Sequence, residues 1–77
     1  MELNMPVSYK PEVIADNSGT WTGNGCRFAT EEEATIYVRD LAMRWFAVRE
    51  TRVVPSDDPV TDRIVRRDNQ NYQESVT

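Results

Sequence analysis

Residues 30–49, TEEEATIYVRDLAMRWFAVR, carry the clearest periodicity in the chain. Because successive helical residues lie about 100° apart, the apolar residues of this segment fall on one side of a helix and require burial. Thr30 followed three residues later by Glu33 is a capping box, which satisfies N–H groups at a helix start. The segment therefore predicts one amphipathic helix, whose core stripe consists of Ala34, Val38, Leu41, Trp45 and Val48.

The segments on either side of the predicted helix carry strand signals. Before it, EVIAD (residues 12–16) is β-branched and ends at a turn. Extended structure restarts at residues 20–22 and resumes at residues 26–28, on either side of a bulge or loop at residues 23–25. After it, TRVVP (residues 51–55) predicts a strand that ends at the turn SDDP. Residues 60–65 are either a further strand or an extended arm. The order β-β-α-β(β) predicts a small two-layer α+β domain, with one central helix packed on an antiparallel sheet.

The domain is expected to span residues 12–65, with an extended lead-in at residues 1–11. The segment RRDNQNYQESVT, residues 66–77, is polar and lacks a core pattern, which predicts a disordered tail. Large apolar side chains on matching faces should form the core, and Trp45→Ala is expected to remove about 3–5 kcal/mol of stability. The predicted core residues are Trp21, Phe28, Val38, Leu41 and Trp45.

The composition limits the classes of function. Thirteen acidic and nine basic residues give a formal net charge of −4. This charge weighs against nonspecific nucleic-acid binding, because attraction to phosphates supplies most of that affinity. A single cysteine excludes an intrachain disulfide and suits a reducing compartment. The sequence has neither a signal-peptide pattern nor a membrane-spanning apolar run, so we expect a soluble, cytoplasmic protein without a membrane partner.

Catalytic and metal-binding patterns are missing from the sequence. The chain has no histidine, which excludes Ser-His-Asp and Cys-His sites and His-containing zinc sites within one chain. Cys26 alternates with apolar residues, which favours a buried, inert thiol. Asp57 and Asp58 precede Pro59 and are better explained as turn formers than as a catalytic pair. We expect no enzymatic activity, no metal and no cofactor.

A second group of apolar residues lies on the helix face opposite the core stripe. Three explanations stay open: a C-terminal arm covers this face, single apolar residues are tolerated in solvent, or the face contacts a partner protein or a second copy of the chain. Aromatic, methionine and arginine side chains are enriched at the centres of protein interfaces. The predicted partner-binding surface, with its charged rim, consists of Ile36, Arg39, Asp40, Met43, Arg44, Phe46 and Ala47.

Arginines near the helix end and the tail suggest an alternative surface that binds DNA or RNA phosphates. Interleaved acidic residues leave open whether these arginines form a local basic patch. The residues of this alternative nucleic-acid site are Arg49, Arg52, Arg63, Arg66 and Arg67.

Residues 10–60 contain six short motifs: KPEVIADNSG, RFAT-x-EEA, YV-x-DL, RW, VR-x-TRVV and SDDPV. In these motifs the chain resembles a group of small proteins of tailed phages and prophages that have no established activity. Ile36 and Phe46 depart from the pattern, because such sequences are more polar there, and the segment after Val60 does not match it.

The resemblance implies a function by analogy with small, acidic phage proteins. Such proteins commonly bind a host or antiviral-defence protein and occlude a site on it. The hypothesis is therefore a non-catalytic phage accessory protein of the host-cell cytoplasm, which blocks a host or defence protein such as a nuclease complex. Two alternatives stay open: a small nucleic-acid-associated protein and a homodimeric structural component.

Overall fold

The computed structural model describes residues 7–76, in which one helix packs against antiparallel strands. This arrangement confirms the predicted small α+β domain. The observed order is β-α-β-β-β. The second of the two strands predicted before the helix does not form, and an additional strand forms after the helix. The elements are β1 (Ser8–Ala15), α1 (Glu31–Arg44), β2 (Val48–Ser56), β3 (Asp62–Arg67) and β4 (Gln70–Ser75).

Helix α1 begins where its capping residues predict. Thr30 Oγ1 accepts a hydrogen bond from the backbone N–H of Glu33 at 3.1 Å and donates one to the Glu33 carboxylate at 3.0 Å. The other oxygen of this carboxylate accepts the backbone N–H of Ile64 at 2.9 Å. The residue that completes the helix cap therefore also ties the helix start to β3.

The periodicity of the sequence predicts an end of α1 that lies beyond the observed one. The helix ends at Arg44 rather than at residue 49, and Trp45 caps it with extended backbone (φ −124°, ψ 100°). The chain then enters β2, where β-branched residues pair with β1. Strand pairing with β1 has thus overridden the helical periodicity of residues 45–49.

Strands β1 and β2 form an antiparallel pair that runs from Ser8↔Ser56 to Ala15↔Val48. The strand predicted at residues 51–55 is confirmed and is longer than predicted. Residues 8–11, predicted as part of the lead-in, belong to β1. Val7 of the lead-in donates its N–H to the Ser56 carbonyl at 3.1 Å. The rest of the predicted lead-in, residues 1–6, lies outside the described residues.

The extended segments predicted at residues 20–22 and 26–28 do not form a regular strand. Their residues make isolated bridges to β1, Thr22 with Val13 and Phe28 with Tyr9. The backbone has positive φ at Gly19 (67°) and at Gly25 (88°), conformations that bend the chain away from a continuous ladder.

The backbone at Arg27 and Phe28 joins the two halves of the sheet. Phe28 exchanges two hydrogen bonds with Tyr9 of β1, at 2.7 and 2.9 Å. On its other side, the Arg27 carbonyl accepts the N–H groups of Thr61 at 2.9 Å and of Asp62 at 3.1 Å. The strands consequently follow the order β2-β1-Phe28-β3-β4, with a single residue acting as the middle strand.

The side chain of Phe28 is also central to the core. It has no solvent exposure, and its ring centroid lies 5.2 Å from that of Tyr37 on α1. Burial of Phe28 and Val38 confirms their predicted core positions. Trp45 is 45% exposed, so its predicted core position is wrong, because α1 ends before it. The remaining predicted core residues, Trp21 and Leu41, are half-buried.

The predicted disordered tail is wrong. Of residues 60–65, which the sequence predicts as a strand or an arm, residues 62–65 belong to strand β3. Strand β4 pairs with β3 from Arg67↔Gln70 to Asp62↔Ser75. The connecting residues Asp68 and Asn69 have φ values of 50° and 64°. Asp and Asn tolerate these left-handed conformations, which a two-residue hairpin loop requires.

We expect Phe28→Ala and Trp45→Ala to differ sharply in their effect on stability. Phe28→Ala leaves a cavity in the core and should cost about 3–5 kcal/mol, whereas Trp45→Ala at a half-open site should cost about 1 kcal/mol or less. Urea unfolding followed by far-UV circular dichroism measures both values. Equal losses in the two variants would contradict this account of the core.

Candidate partner-binding site

A groove of about 500 Å³ lies between α1 and the β3–β4 hairpin. Ile64 and the amide side chains of Gln70, Asn71 and Gln73 line the hairpin side of this groove. The α1 side consists of Tyr37 and five of the seven residues that the sequence predicts for partner binding, namely Ile36, Arg39, Asp40, Met43 and Arg44.

The hairpin covers only part of the second apolar face of α1. Ile36 is half-buried beside Ile64, as expected if the C-terminal segment packs on this face. Met43, the residue before the last residue of α1, is 79% exposed. Arg44 and Asp40 form an ion pair at 3.0 Å on the open rim. Such an exposed pair contributes only about 0.3–0.5 kcal/mol, so both side chains can exchange partners readily.

The two most exposed large apolar side chains of the described residues, Phe46 and Met43, lie at the end of α1 together with the less exposed Trp45. Phe46 is 95% exposed, Met43 79% and Trp45 45%. We call these three residues the helix-end surface. They lie within four positions of one another, with Met43 beside the hairpin groove and Trp45 beside a separate cavity. The end of α1 therefore exposes large apolar side chains on more than one side, and exposed apolar groups of this size are typical of interaction sites.

Two residues of the predicted site do not lie on the helix. Phe46 and Ala47 occupy the short connection between α1 and β2, because the helix ends at Arg44. Ala47 is half-buried, and its carbonyl accepts the backbone N–H of Asp16 at 2.6 Å. Ala47 therefore has a structural role, whereas Phe46 projects from the turn.

Tyr37 lies between the groove and a second cavity of about 230 Å³ that Leu41 and Trp45 help to line. The hydroxyl of Tyr37 accepts a hydrogen bond from the side-chain amide of Asn24. Burial raises the pKa of the Tyr37 hydroxyl above its ordinary value, and the Asn24 hydrogen bond only partly offsets this effect. The neutral side chain thus holds the 22–24 loop against α1.

Asp58 has the structural role that its turn sequence predicts. Its carboxylate accepts a hydrogen bond from Arg27 Nε at 2.9 Å, and its carbonyl accepts the hydroxyl of the buried Ser8 at 2.7 Å. The bond from Arg27 holds the pKa of the Asp58 carboxyl below its ordinary value. Two of the motifs that carry the phage resemblance, RFAT and SDDPV, therefore meet at this contact.

Cys26 is half-buried rather than fully buried, and its Sγ lies 3.5 Å from the side-chain nitrogen of Gln73. An amide cannot act as the general base that activates a thiol. Within the described part of the chain, no cluster of three or more His, Cys, Asp or Glu side chains is arranged to hold a metal ion.

The arginines of the alternative nucleic-acid site are divided between two strands. Arg52 of β2 contacts Glu12 at 2.6 Å and lies 4.2 Å from the ring centroid of Trp21. On β3, Arg63 and Arg67 share the carboxylate of Glu74, at 2.9 and 3.0 Å. Arg49 lies on β2 and Arg66 on β3. Because β1 and Phe28 separate the two strands, these five side chains do not form one basic patch.

Comparisons with protein-family models, with curated proteins and with solved structures return no match. Among residues 7–76, none of the helical structure has the length and apolar character needed to cross a bilayer. The functional assignment therefore depends on the surfaces described above.

We expect Tyr37 to make the fold sensitive to alkaline pH. Because the folded-state pKa of Tyr37 is raised, its stabilising contribution is complete below about pH 10 and is lost as pH rises through the folded-state pKa. Thermal unfolding between pH 8 and pH 11 should show a smaller alkaline loss for Tyr37→Phe than for the wild type.

Tyr72→Phe provides a matched control, because Tyr72 is 44% exposed on β4. This variant should retain the alkaline loss of the wild type. An unchanged alkaline loss in Tyr37→Phe would show that burial of this hydroxyl has no role in the pH dependence.

Proposed function

We propose that this chain is a non-catalytic binding protein that docks on a larger partner protein through its helix-end surface. The observation that carries the proposal is the exposure of Phe46, at 95%, beside Met43, at 79%. A small domain stabilised by a single core gains nothing for its own fold from these side chains in water. Their burial in a partner would contribute the apolar centre of an interface.

The surroundings of Phe46 support a protein partner. Trp45 and Met43 add an aromatic and a flexible apolar side chain, and the exposed Arg44 adds a charge at the rim. This combination matches the composition of interface centres, in which aromatic residues, methionine and arginine are enriched. The hairpin groove continues from Met43 and Arg44 along α1, so a partner segment that leaves Phe46 has a surface to follow.

The biological setting of the proposal comes from the resemblance to phage and prophage proteins. We propose a phage accessory protein that acts in the host cytoplasm by occluding a host or antiviral-defence protein, with a nuclease complex as one such target. The formal net charge of −4 supports a protein target over bare nucleic acid. The division of the arginines between β2 and β3 gives the nucleic-acid alternative no supporting observation, so we do not propose it.

Phe46→Asp tests this proposal directly. The substitution places a charge at the centre of the helix-end surface, and an unpaired charge buried in an interface is costly. Because Phe46 is exposed, the isolated protein should keep its melting temperature, with a stability change under about 0.5 kcal/mol. The tagged variant should lose the partner that the wild type captures from host cells, and it should no longer inhibit that partner when the two purified proteins are mixed.

Val76→Asp is the matched control. Val76 is also an exposed apolar residue, at 44%, but its backbone bonds to Thr61 before β3, away from the end of α1. This variant should capture and inhibit the partner as the wild type does. Docking through the helix-end surface would be contradicted if Phe46→Asp still captures the partner. It would also be contradicted if Val76→Asp abolishes capture as completely as Phe46→Asp does.

A further inference from the structure

We propose that β4 is a second docking site, which pairs antiparallel with β4 of another copy of this chain to form one continuous sheet. The proposed two-fold axis passes through Tyr72, so that Tyr72 faces its counterpart and Asn71 faces Gln73 of the other copy. This inference uses the sheet edge rather than the helix-end surface, and it does not rest on the proposed function.

The hydrogen-bonding phase of the hairpin determines which backbone groups of β4 face outward. Across a two-residue loop, the flanking residues Arg67 and Gln70 form a hydrogen-bonded pair, and such pairs alternate along an antiparallel ladder. The backbone N–H and C=O groups of Tyr72 therefore point toward β3. Those of Asn71 and Gln73 point away from β3.

Contacts elsewhere in the hairpin support this phase. The N–H of Ile64, which lies opposite Gln73, bonds to the Glu33 carboxylate and so points away from β4. The N–H of Val76 bonds to the Thr61 carbonyl, which continues the alternation at the open end of the hairpin. The outward groups of Asn71 and Gln73 consequently form an unpaired edge with the spacing of a strand-addition site.

The two edges of the sheet differ in their protection against pairing. The edge strand β2 contains Pro55, which lacks an N–H donor, and the charged residues Arg49, Glu50 and Arg52. Charges and proline are the features that keep sheet edges from associating. Strand β4, QNYQES, has no proline and no lysine or arginine, and residues 70–73 are exposed.

The charge pattern of β4 favours a second copy as the occupant. Glu74 is the one charged residue of this strand, and Arg63 and Arg67 of the same chain already neutralise it. In the proposed register Glu74 faces Gln70 of the other copy, so no like charges come opposite one another. Two acidic chains can therefore join at this edge without direct repulsion between their strands.

The proposed register is also self-complementary in its apolar side chains. Tyr72 lies opposite the half-buried Val65 within the hairpin. Pairing about Tyr72 brings the two tyrosines together at a non-hydrogen-bonded position, where side chains approach closely. The result is a row of Val65 and Tyr72 from both copies across one face, together with four backbone hydrogen bonds formed by Asn71 and Gln73.

Asn71→Pro and Asn71→Ala form a matched pair that tests this docking. Both remove the side chain of Asn71, but only proline removes its outward N–H, which is not used within the hairpin. Sedimentation equilibrium from about 10 µM to about 1 mM should show a dimer for the wild type and for Asn71→Ala, with association at least about tenfold weaker for Asn71→Pro. Far-UV circular dichroism should show the same folded spectrum for all three proteins.

Tyr72→Lys is the second variant, and it decides the question if Asn71→Pro does not fold. It places two lysines face to face at the axis and should leave a folded monomer. The proposal would be overturned if the wild type stays monomeric at the highest concentration. This holds also if the monomeric wild type binds an extended peptide at β4 instead. Dimerisation that survives both Asn71→Pro and Tyr72→Lys would overturn the proposal as well. Phe46→Asp should dimerise like the wild type, so failure of the helix-end proposal is distinguishable from failure of this one.

Discussion

The hydrogen bonds of the backbone at Arg27 and Phe28 hold the two halves of this protein together. Strands β1 and β2 form one ladder, and β3 and β4 form another. The short 27–28 segment bridges β1 to β3 and so links the two ladders. The Phe28 side chain, with no solvent exposure, extends this junction into the core beside Tyr37. Because the same residue joins the sheet and fills the core, separation of the β1–β2 pair from the β3–β4 hairpin would also open the hydrophobic interior.

The proposed binding surfaces follow from this junction. Phe28 and the Glu33 bond to Ile64 fix the hairpin beside the first turns of α1, which leaves the end of the helix uncovered. The hairpin groove lies between α1 and the hairpin, whereas Phe46, in the connection after α1, is 95% exposed. The same geometry places β4 at the edge of the sheet, where the outward groups of Asn71 and Gln73 have no neighbouring strand within the described residues.

The elements that the sequence predicts well are those with local causes. The start of α1 is encoded by Thr30 and Glu33 within a single turn, and the structure places the cap there. The end of α1 has no glycine or proline stop signal, so periodicity alone extends it through residues 45–49 until pairing with β1 overrides it. Strand β4 is polar and lacks the alternating apolar residues that predict a strand. Only the Asp68-Asn69 loop indicates the hairpin. Five of the seven predicted site residues line the groove because they lie on α1, whereas Phe46 and Ala47 lie in the connection after the early helix end.

Native-state amide hydrogen exchange tests the junction most directly. If the 27–28 segment joins one cooperative unit, the N–H groups of Tyr9, Phe28 and Asp62 should exchange with the same opening free energy, equal to that of global unfolding. Protection in the β3–β4 hairpin, for example at Val65, should reach the same limit. Exchange at Asp62 and Val65 through a separate opening of lower free energy, with β1 still protected at Tyr9, would contradict the account.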